Sequence, residues 1–366
     1  MSVTSYGVND ALAVKAWSKK LAHEASKATP IAPLIGTGDN SIIRKKTELS
    51  KSAGDKVTVG LRRQLSQAGG VTENQLLEGN EESLTTFSDA LVINEIAHAV
   101  RVKNNGTIDT QRVPFNLRNE GKGALADWYA DRMSLMAFTQ LCGYTAPTIT
   151  FEGETFSLNS THWGFNLPSA PSANRKLFVN GSTDEANTSA HVMTLTMIDY
   201  AVELAKTANP KIRPIRVGGE KKYVMYLHPY QVKSLRTNTS TGQWLDIQKA
   251  AMAGGQVTKN PIYSGALGEY NGVILRESEH VTPGVHSSTG EVVATVRRAI
   301  LLGGDAAMFG VGQEGRETSY KLVEKTFDYD RELGIAAKNV MGMKKCVYDG
   351  EDFGVVTISS YAAAGA

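Results

Sequence analysis

Cysteine is nearly absent: Cys142 and Cys346 are the only two in 366 residues. They form no C-x-x-C pattern, which argues against a disulfide framework or a cysteine zinc site and fits a reducing compartment. An excess of one charge is missing too. The chain has 39 Lys and Arg against 37 Asp and Glu, unlike the basic surplus of a dedicated nucleic-acid binder. No apolar run approaches the roughly 20 residues that cross a bilayer, so no membrane partner is expected. The small polar stretch from Met1 to Asp10 argues against a signal peptide. Together these absences predict a soluble protein made in a cytoplasm.

Catalytic signatures are equally scarce. GVGQEG at 310–315 matches G-x-G-x-x-G, but a dinucleotide site needs a helix to begin there, and the following RETSYKLVEK reads as a strand. No phosphate-binding G-x-x-x-x-G-K-[ST] is present. His23-Glu24 lacks a second histidine at zincin spacing, and no serine sits in a G-x-S-x-G elbow. His280 and His286 are the closest histidine pair and lie in a Pro/Gly loop away from any helical carboxylate. Asp328, Asp330 and Glu332 surround Arg331, which reads as a solvated, self-paired turn before it reads as a metal site. No cofactor, metal site or catalytic residue is expected.

What is present is ordinary globular material, 41% apolar and 21% charged, in a chain long enough for two structural units or one with long extensions. Asp10 can cap a helix to about Ala28 that carries Val14, Trp17 and Leu21 on one face. Residues 34–55 look polar and irregular. In 56–65, Val57, Val59 and Leu61 alternate with polar or small residues, predicting a half-buried strand. Its expected partner is 90–103, where Val92, Ile96, Val100 and Val102 share a face. The connection 69–84 is too long for a tight turn, and such loops are usually functional or disordered. Arg112 to Gly143 reads as one long helix, continuous through Gly121 and Gly123. Those glycines call for a close neighbour or a bend. Residues 144–187 look loop-like. A second helix is expected over 190–208 with Leu195, Ile198, Val202 and Ala205 as its stripe. Strands follow at 222–228, 272–277 and 292–302, with helices after Pro229 and near 243–253. The tail is strand-rich at 319–327, 337–348 and 353–361. The class is mixed α+β.

The balanced total charge hides an asymmetry. Residues 1–65 hold eleven basic and five acidic side chains, a net of +6. Residues 66–95 hold six acidic side chains and no Lys or Arg, a net of −6. Two solvated surfaces that repel their own kind would look like this. So would a self-complementary surface that pairs between copies, where opposite patches guide register.

Three stretches resemble a known family: DKVTVGLRRQL with the acidic GGVTENQLLEGNEESL after it, YVMYLHPYQVKSLR at 223–236, and NPIYSGALGEYNGVILRES at 260–278. AILLGGDAAMFGVG at 299–312 belongs to the same pattern. The chain is similar to the major capsid proteins of tailed bacteriophages, nearest to the N-four-like podovirus group. The resemblance implies the Hong Kong 97-type fold. An N-terminal arm would cover 1–50 and an extended loop hairpin 51–104. A peripheral domain would cover 105–209 with a spine helix at 108–143, an axial domain 210–312, and a return to the peripheral sheet 313–366. The implied function is a virion shell subunit that closes into pentamers and hexamers around double-stranded DNA, not an enzyme. Implied partners are other copies, a portal, scaffolding and decoration proteins, and the genome through non-specific phosphate contacts. Expected intersubunit contacts are Trp17 on the docked arm, Lys45, Lys46, Arg62 and Arg63 on the basic side, and Glu73, Glu78, Glu81 and Glu82 on the acidic loop. A tail or sheath protein, or an enzyme with an unrecognised site, are the alternatives. Some shells of this fold join a loop lysine to a neighbour's asparagine. No lysine lies between Val57 and Val102, so a shell held without covalent links is expected.

Overall fold

The structure, a computed structural model, describes residues 29–38, 40–47, 55–62, 65, 69–103, 116–238, 268–312 and 320–364. Strands β1 (Ile35–Gly36) and β2 (Ile43–Lys46) precede a ribbon of β3 (Lys56–Arg62) and β4 (Thr86–Val92), and β5 (Asn94–Lys103) follows. Helix α1 (Leu117–Leu141) leads to β6 (Thr148–Phe151), β7 (Glu154–Ser157) and β8 (Lys176–Phe178). Helix α2 (Leu195–Thr207) precedes β9 (Ile215–Val217), β10 (Glu220–Leu227) and α3 (Pro229–Thr237). Then come β11 (Glu269–Tyr270), β12 (Val273–Glu277), β13 (Pro283–Val285), β14 (Val292–Leu302) and β15 (Ala307–Val311). Strands β16 (Tyr320–Phe327), β17 (Glu332–Lys345), β18 (Val347–Tyr348), β19 (Glu351–Asp352) and β20 (Val355–Tyr361) complete the described chain.

Two sheets carry the fold. The first joins β1, β2, β15, β17 and β16, with β5 paired to β17. The second runs β11, β12, β10, β14, β20 and β8, with β13 on β14 and β9 on β10. Strand β10 shows why its sequence reads as a continuous apolar run rather than an alternation. Val224 and Tyr226 face the core shared with α1, while Tyr223, Met225 and Leu227 face the core shared with α2. A strand covered on both faces has no polar side to show. The α2 stripe of Leu195, Ile198, Val202 and Ala205 is buried in that second core, as its helical spacing predicts.

Helix α1, about 37 Å long at 1.5 Å per residue, lies on the first sheet. The Tyr129 hydroxyl donates between the carbonyls of Ile96 (3.1 Å) and Ala337 (2.8 Å), and Trp128 stacks on His98 at 4.4 Å. Near the helix start, Glu324 of β16 takes Lys122 Nζ at 2.6 Å and Arg118 Nη2 at 2.7 Å. Burial alone would push the Glu324 carboxyl up, but bonds from Arg118 and Lys122 prevail and hold it below the usual carboxylate range. Gly143, with φ at +60°, ends the helix; a Cβ there would stand 2.7 Å from Ser169 O.

The helix is continuous through both of its glycines. A Cβ at Gly121 would stand 3.3 Å from Ile335 Cδ1 and 3.8 Å from Val100 Cγ1, so this residue admits close approach of the sheet. Among the described residues nothing comes within 4 Å of a Cβ at Gly123, and the structure does not explain that glycine. Gly123→Ala should therefore stabilise the subunit by about 0.5–1 kcal/mol through helix propensity alone, read as a higher urea midpoint. The same change at Gly121 should gain less, because Ile335 must yield.

Several sequence expectations need correction. The partner of β3 is 86–92, not 90–103. The apolar run breaks at buried Ile93, whose N–H donates to Asp55 O at 2.8 Å, and the residues beyond it pair with β17. Helix α1 begins at Leu117, after an extended Asn116 whose side chain caps Arg118 N at 3.0 Å, and the expected helical stretch 108–115 lies outside the described residues. The second helix begins at Leu195 rather than 190, after an extended Thr194. Residues 34–55 contain β1 and β2, and residues 144–187 contain β6, β7 and β8. The helices expected at 10–28 and near 243–253 lie outside the described residues. Sheet membership also crosses the expected domain limits: β15 pairs in the first sheet, whereas β20 and β8 pair in the second.

Candidate assembly surface

The β3–β4 ribbon pairs only with itself in regular register, Lys56 opposite Val92 and Arg62 opposite Thr86. An isolated two-stranded ribbon is marginal in water, so its root must be held. Leu91 is fully buried against Met308 and Cys346, with Val59, Tyr348 and Phe353 around it. Asp89, also buried, pairs with Lys344 and accepts from Val347 N at 3.2 Å. The Asn166 side chain ties both main-chain groups of Val92, accepting from N at 3.0 Å and donating to O at 2.9 Å.

Gly310 and Gly312 of the 310–315 motif belong to this root. A Cβ on Gly310 would fall 2.7 Å from Ile93 Cγ2, and one on Gly312 would fall 2.3 Å from Val340 Cγ1. Gly342 on β17 is tighter still, with Val92 O at 2.2 Å from a Cβ. These glycines let the ribbon's base lie directly on the first sheet. No nucleotide reading is needed, and Tyr320–Phe327 is the strand expected beyond the motif.

Past the root the ribbon carries a different surface. Residues 69–85 are almost wholly exposed. Local bonds shape the tip: Gln75 N donates to Thr72 O at 2.9 Å, Asn80 N to Leu77 O at 3.0 Å, and Gly79 N to Glu81 Oε2 at 2.7 Å. Leu65, Leu76, Leu77 and Leu84 are 55–79% exposed, four of the six large apolar side chains at least 55% exposed among the described residues. Glu73, Glu78, Glu81 and Glu82 are exposed on the same loop. Net charge makes the acidic side legible in the sequence, whereas only the structure exposes the leucines, for which the Leu-Leu pair inside a polar loop is the one sequence signal.

The basic candidates fare differently. Lys45 and Lys46 are half-buried in β2, inside the first sheet, and their neighbour Arg44 pairs with Asp305 at 2.6 Å. Arg62 closes β3 by its main chain, and Arg63 and Trp17 lie outside the described residues. Lys45 and Lys46 thus belong to the first sheet, and among the described residues neither pairs with Glu73, Glu78 or Glu81 of the same chain.

Two other clusters complete the surface. In the β16–β17 turn Asp328, Tyr329 and Asp330 all take positive φ (49°, 51° and 67°), and Tyr329 is fully exposed. Arg331 pairs with Asp328 at 3.5 Å and Glu332 with Arg101, so the turn is self-paired, as expected. His280, in contrast, meets a carboxylate from the β6–β7 turn and lies near a helical one. Its Nε2 lies 3.0 Å from Glu152 Oε1, and Asp131 of α1 adjoins them. Burial, then the Glu152 charge, push the Asp131 carboxyl up to about 6, against the opposing pull of His280. Sequence distance hid this: β6 and β7 carry Glu152 back to the helix. Glu152, Glu279 and His280 could offer one ligand atom each within 4.8 Å, but both glutamates are exposed and the imidazole already has a carboxylate partner.

Comparison with known proteins agrees with this architecture. A protein-family model described as phage capsid protein matches residues 5–364. The major capsid protein of Pseudomonas phage KPP25 is 31% identical over 373 residues, covering 95% of this chain and 94% of that protein. The capsid of Ralstonia phage GP4 superposes with a TM-score of 0.76 at 29% identity, covering 100% of both chains. The Cyanophage Pam1 capsid asymmetric unit gives 0.70 at 20% identity over 93% of this chain and 94% of that one, a likeness of fold.

Proposed function

Because the chain belongs to the phage capsid protein family, we propose that it is a shell subunit whose β3–β4 hairpin clasps neighbouring copies in an icosahedral head. It is a phage major capsid protein with the Hong Kong 97-type fold. The observation that carries the clasp is the hairpin itself. Its root is buried in its own subunit while its tip holds four leucines and four glutamates in solvent. Such a surface is reasonable only where a neighbour covers it.

Copies close into pentamers and hexamers through heterologous contacts about symmetry axes. The first sheet with α1 forms the peripheral domain, and the second sheet with α2 and α3 forms the axial domain. Helix α2 and β20 therefore move to the axial side of the division, and β15 to the peripheral side. Trp17, Arg62, Arg63, Lys45 and Lys46 remain candidate contacts with the acidic loop or its surroundings. A portal, scaffolding and decoration proteins, and double-stranded DNA held through its phosphates are the further partners. The subunit is made in the host cytoplasm and resides in the virion, and its work is structural rather than catalytic.

Negative-stain microscopy of the purified protein tests the reading. Shells or capsomer rings are expected, whereas tubes would indicate a sheath and a small discrete oligomer would contradict it. Covalent chemistry gives a second test. A cross-link needs a nucleophilic lysine on the loop, and arginine stays protonated. Mature particles boiled in denaturant and reductant should run as one band near 39.4 kDa. A ladder of covalent pentamers and hexamers would show that another lysine supplies the link to Asn74 or Asn80.

A further inference from the structure

The geometry points to a receiving site for the acidic loop: the cleft lined by Asn40, Arg213, Pro214, Arg216 and Lys221, filled by the 73–82 segment of a second copy. This rests on the shell reading above and names the surface that reading leaves open.

The cleft holds an electrostatic anomaly. Arg216 on β9 and Lys221 on β10 are directly opposite in the antiparallel register. Both are exposed, and neither side chain has a hydrogen-bond or ion-pair partner among the described residues. Like charges facing each other across a strand pair are destabilising, and an anion between them removes the cost. The nearby acids are committed elsewhere. Asp305 takes Arg44 and Arg213, and Glu220 takes Lys222, which also holds Glu269. The cleft is also built rather than fortuitous. Asn40 clamps the main chain of Arg216 from both sides, donating to its O at 2.7 Å and accepting from its N at 2.6 Å.

Charge and shape favour the loop as the occupant. Residues 209–222 hold five basic side chains and one acidic, a net of +4. Residues 69–85 hold four glutamates and no basic side chain, a net of −4. Pro214 in the wall and the exposed Val217 beside it offer apolar contact to Leu76 and Leu77. A nucleic-acid track would instead spread its cations along a groove.

The test is a charge exchange made in the phage genome and read as particle yield from lysates. Glu78→Lys with Glu81→Lys should lower the yield at least tenfold, and so should Arg216→Glu with Lys221→Glu. All four together should restore it to within about threefold, at the salt dependence expected of a paired surface. Misfolding of either pair cannot produce that rescue. An independent arm joins Glu78→Cys to Arg216→Cys. Its particles should yield disulfide-linked oligomers on a non-reducing gel, and neither single variant should. No rescue together with no linked oligomers overturns the proposal. It is equally overturned if the Arg216→Glu, Lys221→Glu particles form normally but package less DNA, which would assign the cleft to phosphate. Wild-type particles that lack this chain would instead refute the shell reading itself.

Discussion

Replacing Leu76 and Leu77 together by serine should leave the subunit folded and abolish particle formation. The two side chains are 79% and 61% exposed, so their removal takes almost nothing from the subunit's own core. Burying a leucine is worth about 1.5–3 kcal/mol. Two of them covered by a neighbour would contribute about 3–6 kcal/mol per contact, a factor of roughly 10² to 10⁴ in association. Each copy makes this contact, so the loss multiplies around every ring. The check has two parts. Thermal melting of the released subunit should match wild type, and sedimentation of the lysate should show no particles. Normal particles from a normally folded double variant would remove the clasp as the basis of assembly.

The largest loss of subunit stability should follow Lys345→Met. Lys345 and Asp352 are 1% and 2% exposed and pair at 2.8 Å, with Ser169 O accepting from the same ammonium at 3.1 Å. Burial pushes the lysine down and the carboxyl up, and their mutual attraction opposes both shifts. Removing one partner leaves a buried carboxylate without its cation, at a cost of about 3–5 kcal/mol. Adding Asp352→Leu should recover most of that loss, since a buried pair traded for apolar packing is often neutral. Denaturant midpoints of the two variants decide it. By contrast Lys338→Ala, which breaks an exposed pair with Glu95 at 3.4 Å, should cost no more than about 1 kcal/mol. A Lys345→Met variant as mild as Lys338→Ala would mean that Asp352 finds another partner or water.

The two experiments probe opposite ends of one design. The interior of the subunit pairs Lys345 with Asp352 and Arg298 with Asp184, while the loop keeps apolar and acidic groups in solvent. A protein selected only as a monomer has no use for the second arrangement. The hairpin's root connects the two. Gly342 and Gly310 allow the ribbon to sit on the first sheet, and the Asp89–Lys344 pair anchors it.

Local periodicity decided much of this protein in advance. The α2 stripe, the doubly covered strand at 223–227, the alternation of Val57, Val59 and Leu61, and the acidic loop were all readable, because helical and strand spacing and net charge are properties of neighbouring residues. What only the tertiary structure decided was which distant segments meet. Arg44, Lys45 and Lys46 lie in a stretch that looks polar and irregular and are instead a strand beside 307–310, because a parallel partner some 260 residues away lends its hydrogen bonds and Asp305 takes the Arg44 charge. The run 90–103 looked like one strand and serves two sheets, because Ile93 turns inward. The G-x-G of 310–312 matched a dinucleotide pattern that its strand context already argued against, and only the structure shows it as a bed for Ile93 and Val340. In each case the deciding contact is steric or electrostatic and joins residues far apart in the chain, where no local period reaches.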